Sequence, residues 1–168
     1  MKSIFKLLVA AFLTVAPLTV IAQSNVAHIN VQLLISEMPE VISAQNELAK
    51  LEKDYTTQID NAFKEFQTKA QSYSSDAANQ TDVTNQARQK ELESMQTNLQ
   101  EFRDSAAQEL QKKQMDLMTP LLEKARNAIT KVGEEQGFNY VIDSSPNGGI
   151  ILANGKDLLA DVKKELGF

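Results

Sequence analysis

Apolar residues recur at steps of three and four through the first half of the chain. From Pro39 to Tyr73 there is no other Pro and no Gly, and Pro39 can open a helix at its first turn, where a missing N–H is harmless. Steps of three and four return to one side of a helix at each turn, so an amphipathic helix on the order of 50 Å long is predicted. Its stripe consists of Leu48, Leu51, Tyr55, Ile59, Ala62, Phe66 and Tyr73.

A second apolar stripe follows a polar segment. Residues 72–80 lose the repeat and gather turn and capping residues, and Thr81 or Asp82 can cap the next helix. The second stripe matches the first in spacing, so an antiparallel helical hairpin is predicted that folds near residue 78, with its tip near 74–82. The second stripe consists of Leu92, Met95, Leu99, Phe102, Ala106 and Leu110.

The apolar face widens further along the second helix, which indicates a passage from a thin arm into a packed body. Pro120 lies inside this pattern, and a helical proline removes one backbone hydrogen bond, so a kink is expected near residues 116–119. Gly133 and Gly137 supply helix-ending signals. The wider face consists of Leu117, Met118, Leu121, Leu122, Ala125, Ala128, Ile129 and Val132.

Short strands are predicted at both ends of the helical hairpin. Residues 26–31 and 138–143 alternate between apolar and other positions, and a turn at 146–149 leads into a further strand at 150–153. A lone β-hairpin is barely stable in water, so the three strands are expected to form one small sheet at the base of the arm. A short amphipathic helix over residues 157–166 ends the pattern.

The predicted fold class is therefore α+β, with a long antiparallel coiled-coil arm on a small β-body of three strands per chain. Residues 39–116 form the arm. Residues 23–38 and 117–168 form the body. The apolar strand residues of the body are Ala27, Ile29, Val31, Phe138, Tyr140, Ile142, Ile150 and Leu152.

The first 22 residues have the layout of a secretory signal peptide. Lys2 and Lys6 precede an apolar run, and the run ends in a small-residue cleavage pattern at Ala22. A retained membrane anchor is the alternative, and Pro17 inside the run argues against it. The mature chain is therefore expected to be exported, with no stable insertion in a membrane.

Charge and cysteine content narrow the function further. After removal of the signal peptide, 15 basic and 22 acidic residues remain, a net charge of about −7, which argues against nucleic acid as a partner. The chain has no Cys, so disulfides, thiolate metal sites and lipid attachment through cysteine are excluded.

No group of residues predicts catalysis, a cofactor or a metal site. His28 is the only histidine and is interpreted as a surface or interface residue of a strand. Asp143-Ser144-Ser145 lacks the glycine pattern around a hydrolase nucleophile, so turn chemistry is the better interpretation. The chain is predicted not to be an enzyme.

Large apolar residues on the arm are candidates for contact with a bound protein. Most of them lie in the two stripes, where the plain interpretation is the seam between the helices. Phe63 lies beside the stripe and is the best candidate for an exposed residue. The candidates are Phe63, Phe66, Tyr73, Met95 and Phe102.

The order of these parts resembles the Skp/OmpH family of periplasmic chaperones. The specific parts of the resemblance are the first strand with Asn30 and the segment from Ile129 to Asp143. The resemblance implies a homotrimer, in which strands of three chains form a β-barrel body and three arms surround a cavity. It also implies an ATP-independent periplasmic holdase for unfolded outer-membrane proteins, which brings the chain transiently close to the membrane surface. A trimeric coiled-coil scaffold or adaptor of the envelope without chaperone activity is the alternative.

The charge of the arm departs from the family pattern. Better-known members are strongly basic, whereas residues 40–131 carry 12 basic and 15 acidic side chains. Arg88 and Lys90, the closest basic pair near the tip, do not make a basic cluster. No lipopolysaccharide site is therefore carried over, and client capture is expected to depend less on charge.

Overall fold

The computed structural model describes residues 25–146 and 148–168, and the predicted signal peptide, 1–22, lies outside them. Seven helices and strands follow one another in this described part. They are β1 (Val26–Ile29), α1 (Val31–Glu37), α2 (Pro39–Asp76), α3 (Asp82–Glu135), β2 (Tyr140–Asp143), β3 (Lys156–Asp157) and α4 (Leu159–Leu166), with a 3₁₀ turn at Ala77–Asn79 between α2 and α3.

The predicted helical hairpin is confirmed. α2 begins at Pro39 and runs to Asp76, three residues beyond the predicted end. Thr81 caps α3, since its hydroxyl oxygen accepts a hydrogen bond from the Thr84 N–H at 3.2 Å. All the predicted stripe positions of both helices are buried or half-buried, so the two stripes form the seam of the arm.

α3 continues without interruption through Pro120 and ends in a glycine motif. Gly137 has a φ of +74°, the left-handed conformation that glycine adopts most easily. The Phe138 N–H donates to the Gly133 carbonyl at 2.9 Å and the Gly137 N–H to the Glu134 carbonyl at 3.0 Å. Gly137 therefore ends the helix as predicted. The same prediction for Gly133 is wrong, because Gly133 is buried inside α3.

Gly133 instead allows β2 to pack closely on α3. A Cβ atom at this position would lie 2.8 Å from Val141 Cγ2, closer than packed carbon atoms come. The glycine is thus a packing residue, and its lack of a side chain lets the sheet approach the helix.

The predicted β-hairpin is wrong. The sheet has the order β2-β1-β3, and both outer strands run parallel to β1. Ile150, Ile151 and Leu152 lie in the connection between β2 and β3, and the third strand is at Lys156–Asp157 instead. β1 is paired on both sides, and residues 150–153 are not part of the sheet.

The first strand is also shorter than predicted, because a helix follows it. The Asn30 side-chain oxygen accepts a hydrogen bond from the Leu33 N–H at 2.9 Å and caps α1. Val31 therefore begins a helix, not the end of a strand, and α1 was missed by the sequence reading. Apolar and polar residues alternate over 26–31 as in a strand, and Asn30 is a polar position both in a strand and at a helix cap. The sequence pattern therefore did not distinguish the two.

The hydrophobic core lies in the body, where α1, α4 and the last turns of α3 cover one face of the sheet. Ala27 and Ile29 point into this core and are 1% exposed each. Leu34, Met38, Val41, Ala125, Leu158 and Val162 complete its fully buried part. An ion pair of 2.5 Å between Lys131 and Glu165 ties α4 to α3, and a second pair, Lys163 with Glu37, ties it to α1. No helix in the described part of the chain is long and apolar enough to span a bilayer.

Candidate binding surfaces

The outer face of the sheet carries exposed apolar side chains. Tyr140 pairs in register with Val26, and Ile142 pairs with His28, so these residues share the face opposite the core. Tyr140 is 64% exposed and Ile142 39% exposed. Apolar side chains exposed side by side on a sheet mark an interaction surface.

The connection between β2 and β3 also exposes apolar side chains. Ile151 is fully exposed and Leu152 is 75% exposed, with Ile150 next to them at 38%. Three consecutive apolar residues facing water are unfavourable in an isolated chain, because each gives up the free energy of burial. Tyr140 and Ile142 on the sheet face, together with residues 150–152, are called the apolar edge.

The predicted body residues divide into two groups. Ala27 and Ile29 are in the core of their own chain, and Val31 and Phe138 are half-buried against it. Tyr140, Ile142, Ile150 and Leu152 belong to the apolar edge. The role of these residues in assembly stays a prediction, and only the second group is accessible to another chain.

A groove of about 910 Å³ opens beside the apolar edge, between α1, α3 and β2. Its walls include Ile35, Leu122, Ile129 and Phe138, and Tyr140 contributes to both the groove and the edge. Leu122 is 45% exposed. The groove and the apolar edge therefore meet at Tyr140, and the groove also has charged walls at Glu123, Arg126 and Glu134.

A polar network holds the end of β2 against the start of α1. Asp143 Oδ1 accepts from the Ser145 hydroxyl at 2.6 Å and from the Val31 N–H at 3.3 Å, and the Gln32 N–H donates to the buried Ser145 hydroxyl. Burial raises the pKa of Asp143, but the hydrogen bonds from Ser145 and Val31 outweigh it, so the pKa lies below its ordinary value of 3.8.

The contacts of the network are those of a turn. His28 Nδ1 lies 3.1 Å from the Ser144 hydroxyl, whereas Asp143 contacts the neighbouring Ser145. A catalytic triad needs the base to bond both the nucleophile and the acid, and here the contacts go to different serines. In residues 25–146 and 148–168, no three His, Asp or Glu side chains come together as a metal site.

On the arm, four of the five apolar candidates lie in the seam. Phe66, Tyr73, Met95 and Phe102 are half-buried, and Phe102 packs edge-to-face against Tyr55 with ring centroids 6.0 Å apart. Phe63 is 39% exposed, as expected from its place beside the stripe. The Arg103 guanidinium lies 6.0 Å from the centre of its ring.

Three further exposed apolar residues on the arm were missed. Val83 near the tip is 76% exposed, and Met115 and Ile42 near the body are 54% and 46% exposed. All three lie outside the predicted stripes, and their apolar character at such positions was the signal that could have found them. Together with Phe63, they give the arm isolated apolar points separated by polar surface.

The fold and its surfaces define a class of protein, a coiled-coil arm projecting from a small α+β body whose apolar edge is exposed in the described part of the chain. The chain belongs to the family described as outer membrane protein (OmpH-like), which matches residues 25–166. The resemblance drawn from the sequence is thereby confirmed.

Two curated relatives agree with this family. The chaperone protein Skp of Yersinia enterocolitica is 26% identical over 148 residues, which cover 85% of this chain and 86% of that protein. The chaperone protein Skp of Pectobacterium atrosepticum is 22% identical over 151 residues, which cover 90% of each. Both alignments span nearly the whole chain, so arm and body are shared together.

Proposed function

We propose that the chain is an OmpH/Skp-type chaperone of the periplasm, an ATP-independent holdase that binds unfolded outer-membrane proteins between the arms of a homotrimer. The observation that carries this proposal is the apolar edge, supported by the two relatives named as chaperones. An accessible apolar surface on a mostly polar chain needs a partner, and the surface lies on the body, away from the arm.

The apolar edge is suited to assembly. β2 has four residues and β3 has two, and each is paired on one side with β1. An unpaired strand edge presents free N–H and C=O groups that a second chain can satisfy. Three chains that join their sheets edge to edge would cover Tyr140, Ile142 and residues 150–152 in a closed barrel, which has no free edge.

The arms are suited to holding a client weakly. Phe63, Val83 and Met115 are exposed but scattered, so a single arm offers few strong anchors. Three arms in one trimer raise the effective concentration of such weak contacts, and each contact can break on its own. A client is thereby kept from aggregating and is released without an energy source.

Charge has a minor part in this capture. Many charged side chains of the arm are already paired across it, such as Lys113 with Glu47 at 2.7 Å and Lys124 with Glu40 at 2.5 Å. Client affinity is therefore expected to fall only slightly as salt is raised, whereas a steep loss would show that capture is electrostatic.

The proposal is tested by two measurements on the mature protein. Light scattering follows the aggregation of an unfolded β-barrel protein with and without the chain at stoichiometric trimer, and sedimentation gives the oligomeric state. Suppressed aggregation together with a trimer supports the proposal. A stable monomer would contradict the cavity mechanism.

A matched pair of variants connects assembly to activity. Ile142→Asp places a charge on the apolar edge and is expected to abolish both the trimer and the suppression of aggregation. Lys164→Asp also introduces a carboxylate on the body, at an exposed position of helix α4, and is expected to leave both unchanged.

The alternative is a trimeric scaffold or adaptor of the envelope that binds folded partners. The arm favours it in one respect, because most of its large apolar side chains are occupied in the seam. A trimer that fails to suppress aggregation would support this alternative.

A further inference from the structure

Polar contacts across the arm keep one register from the body to the tip. Four of them join residues of α2 and α3 whose numbers add up to 164 in every case: Glu40 with Lys124, Tyr55 with Glu109, Tyr73 with Glu91, and Asp76 with Arg88. Because α2 and α3 run antiparallel, a constant sum means that neither helix slips along the other.

Two of the four contacts repeat the same chemistry. Tyr73 follows Tyr55 by 18 residues and Glu91 precedes Glu109 by 18, which is five turns on each helix. Both rings are half-buried in the seam, and both hydroxyls donate to a carboxylate on the facing helix, at 2.6 Å for Tyr73. The same side of the arm therefore carries the same hydrogen bond twice.

The tip contact is reinforced by further charged groups. Glu91 also accepts from Lys69 at 2.5 Å, and the Arg88 guanidinium lies 4.7 Å above the Tyr73 ring while it bonds Asp76 at 3.0 Å. Hydrogen bonds from Lys69 and Tyr73 hold the pKa of Glu91 below its ordinary value of 4.5.

The apolar stripes by themselves do not select this register. A slip of one heptad would bring apolar positions opposite apolar positions again, since both stripes repeat at three and four. The polar contacts near the tip would not survive it. In one direction Tyr73 would face Asn98 and Asp76 would face Met95, although Tyr55 would face Asp116 and Glu40 would face Lys131. In the other direction Tyr55 would face Phe102 and Tyr73 would face Thr84.

We propose that the Tyr55–Glu109 and Tyr73–Glu91 hydrogen bonds set the register of the arm. A polar partner at a fixed position of a coiled coil disfavours slipped pairings. Tyr73 loses its carboxylate partner in both heptad slips, and Tyr55 loses its carboxylate partner in the slip that places it opposite Phe102. A heptad slip would shift the helices by about 10 Å, so these bonds fix the length of the arm and the place of its tip. The inference concerns the single chain and is independent of chaperone activity.

The absence of cysteine makes the register directly measurable. Glu47→Cys with Lys113→Cys reports the observed register, because the ends of these two long side chains meet in an ion pair across the arm. Asp54→Cys or Glu40→Cys with Lys113→Cys reports a heptad slip in either direction. Cross-link yields with a short bifunctional thiol reagent are compared among the three pairs, since a disulfide would need a closer approach than an ion pair between long side chains ensures.

Tyr55→Phe with Tyr73→Phe keeps both rings and removes both hydroxyls. The ratio of slipped to observed cross-links is expected to rise about tenfold, as expected from two modest hydrogen bonds. Glu91→Gln with Glu109→Gln retains an oxygen that accepts from tyrosine and is expected to keep the ratio low. Tyr140→Phe, in the body, is the control and should have no effect.

An unchanged ratio in the double Phe variant, with helical content retained by circular dichroism, would overturn the proposal. If the double variant loses its helical content, the single changes Tyr55→Phe and Tyr73→Phe are measured separately. Each must raise the ratio by a smaller factor, and no rise in either would equally overturn the proposal.

Discussion

Leu34, Met38 and Val162 in the body are completely shielded from water, whereas most stripe residues of the distal arm stay half-buried. The difference follows from the number of neighbouring layers. Body side chains are enclosed by a sheet and by helices from several parts of the chain, while each arm residue has one facing helix. A two-helix seam can cover only one side of a side chain, which limits the stabilisation per residue.

The two regions are therefore stabilised in different ways. The body has a cooperative core made from both ends of the chain, and damage to one residue affects every element that packs on it. The arm has a row of small contacts along its length, with apolar contacts in the seam and polar contacts on either side of it. Each of these contacts contributes little to the free energy of unfolding. Substitutions in the body core should therefore cost more stability than matched substitutions in the arm.

The largest effect is expected from truncation in the body core. Leu34→Ala removes a side chain that is 0% exposed and leaves a cavity among α1, α3 and α4. The free energy of unfolding is expected to fall by about 3 kcal/mol, measured by urea denaturation of the mature protein.

Leu51→Ala is the matched change in the arm, where the same side chain is half-buried. About 1 kcal/mol is expected, because less area is returned to water and the open seam leaves no closed cavity. Equal losses for the two variants would contradict the contrast between body and arm.

Pro120→Ala is expected to stabilise the passage from arm to body by about 1–2 kcal/mol. Alanine restores a backbone N–H that can donate toward the Asp116 carbonyl and removes the clash of the proline ring, which outweighs the greater freedom of the unfolded chain. Thermal unfolding measures the change. Thr119→Ala, at the neighbouring exposed position, is the control and should change the free energy of unfolding by less than about 0.5 kcal/mol. A loss of stability in Pro120→Ala would contradict the prediction, because it would show that the proline stabilises the folded chain.

Acid is expected to weaken the arm through its carboxylates. Hydrogen bonds from Lys69 and Tyr73 lower the pKa of Glu91 below 4.5, and those from Arg88 and Asn79 lower the pKa of Asp76 below 3.8. Because the pKa values of these carboxyls are lower in the folded than in the unfolded chain, the unfolded chain binds more protons at acidic pH. The two carboxylates therefore stabilise the fold above their ordinary pKa values. This stabilisation is lost as the pH falls through their lowered pKa values in the folded chain.

Melting temperature is therefore expected to drop as pH falls below about 4.5. Glu91→Gln should show a shallower drop than the unchanged protein, because glutamine does not titrate. Glu93→Gln alters an exposed carboxylate on the same helix and serves as the control. Parallel curves for all three proteins would rule out the contribution of Glu91.

The smallest effect on stability is expected at Phe63. Phe63→Ser changes an exposed side chain and should alter the free energy of unfolding by less than about 0.5 kcal/mol. The same change should weaken the binding of an unfolded β-barrel protein, which fluorescence anisotropy measures. Phe66→Ser, three residues on and inside the seam, should instead lower stability. Unchanged client binding in Phe63→Ser would remove this residue from the contact surface.

The sequence determined the arm almost completely. Contacts within one helical turn explain why α2 starts at Pro39 and why Thr81 caps α3. The helical repeat explains the two buried stripes and the exposure of Phe63, because residues three and four apart lie on the same side of a helix. Local patterns suffice here, because the nearest neighbours in space are also close in the helical repeat.

The tertiary structure alone decided the sheet. Residues 138–153 carry the signals of a hairpin. β2 and β3 both pair instead with β1, which lies more than a hundred residues earlier in the chain. Strand pairing depends on which edges the fold brings together, and the long helical hairpin returns β2 beside β1 in the parallel sense. Ile150 to Leu152 are thus left outside the sheet and exposed, which no alternation of apolar and polar residues could have shown.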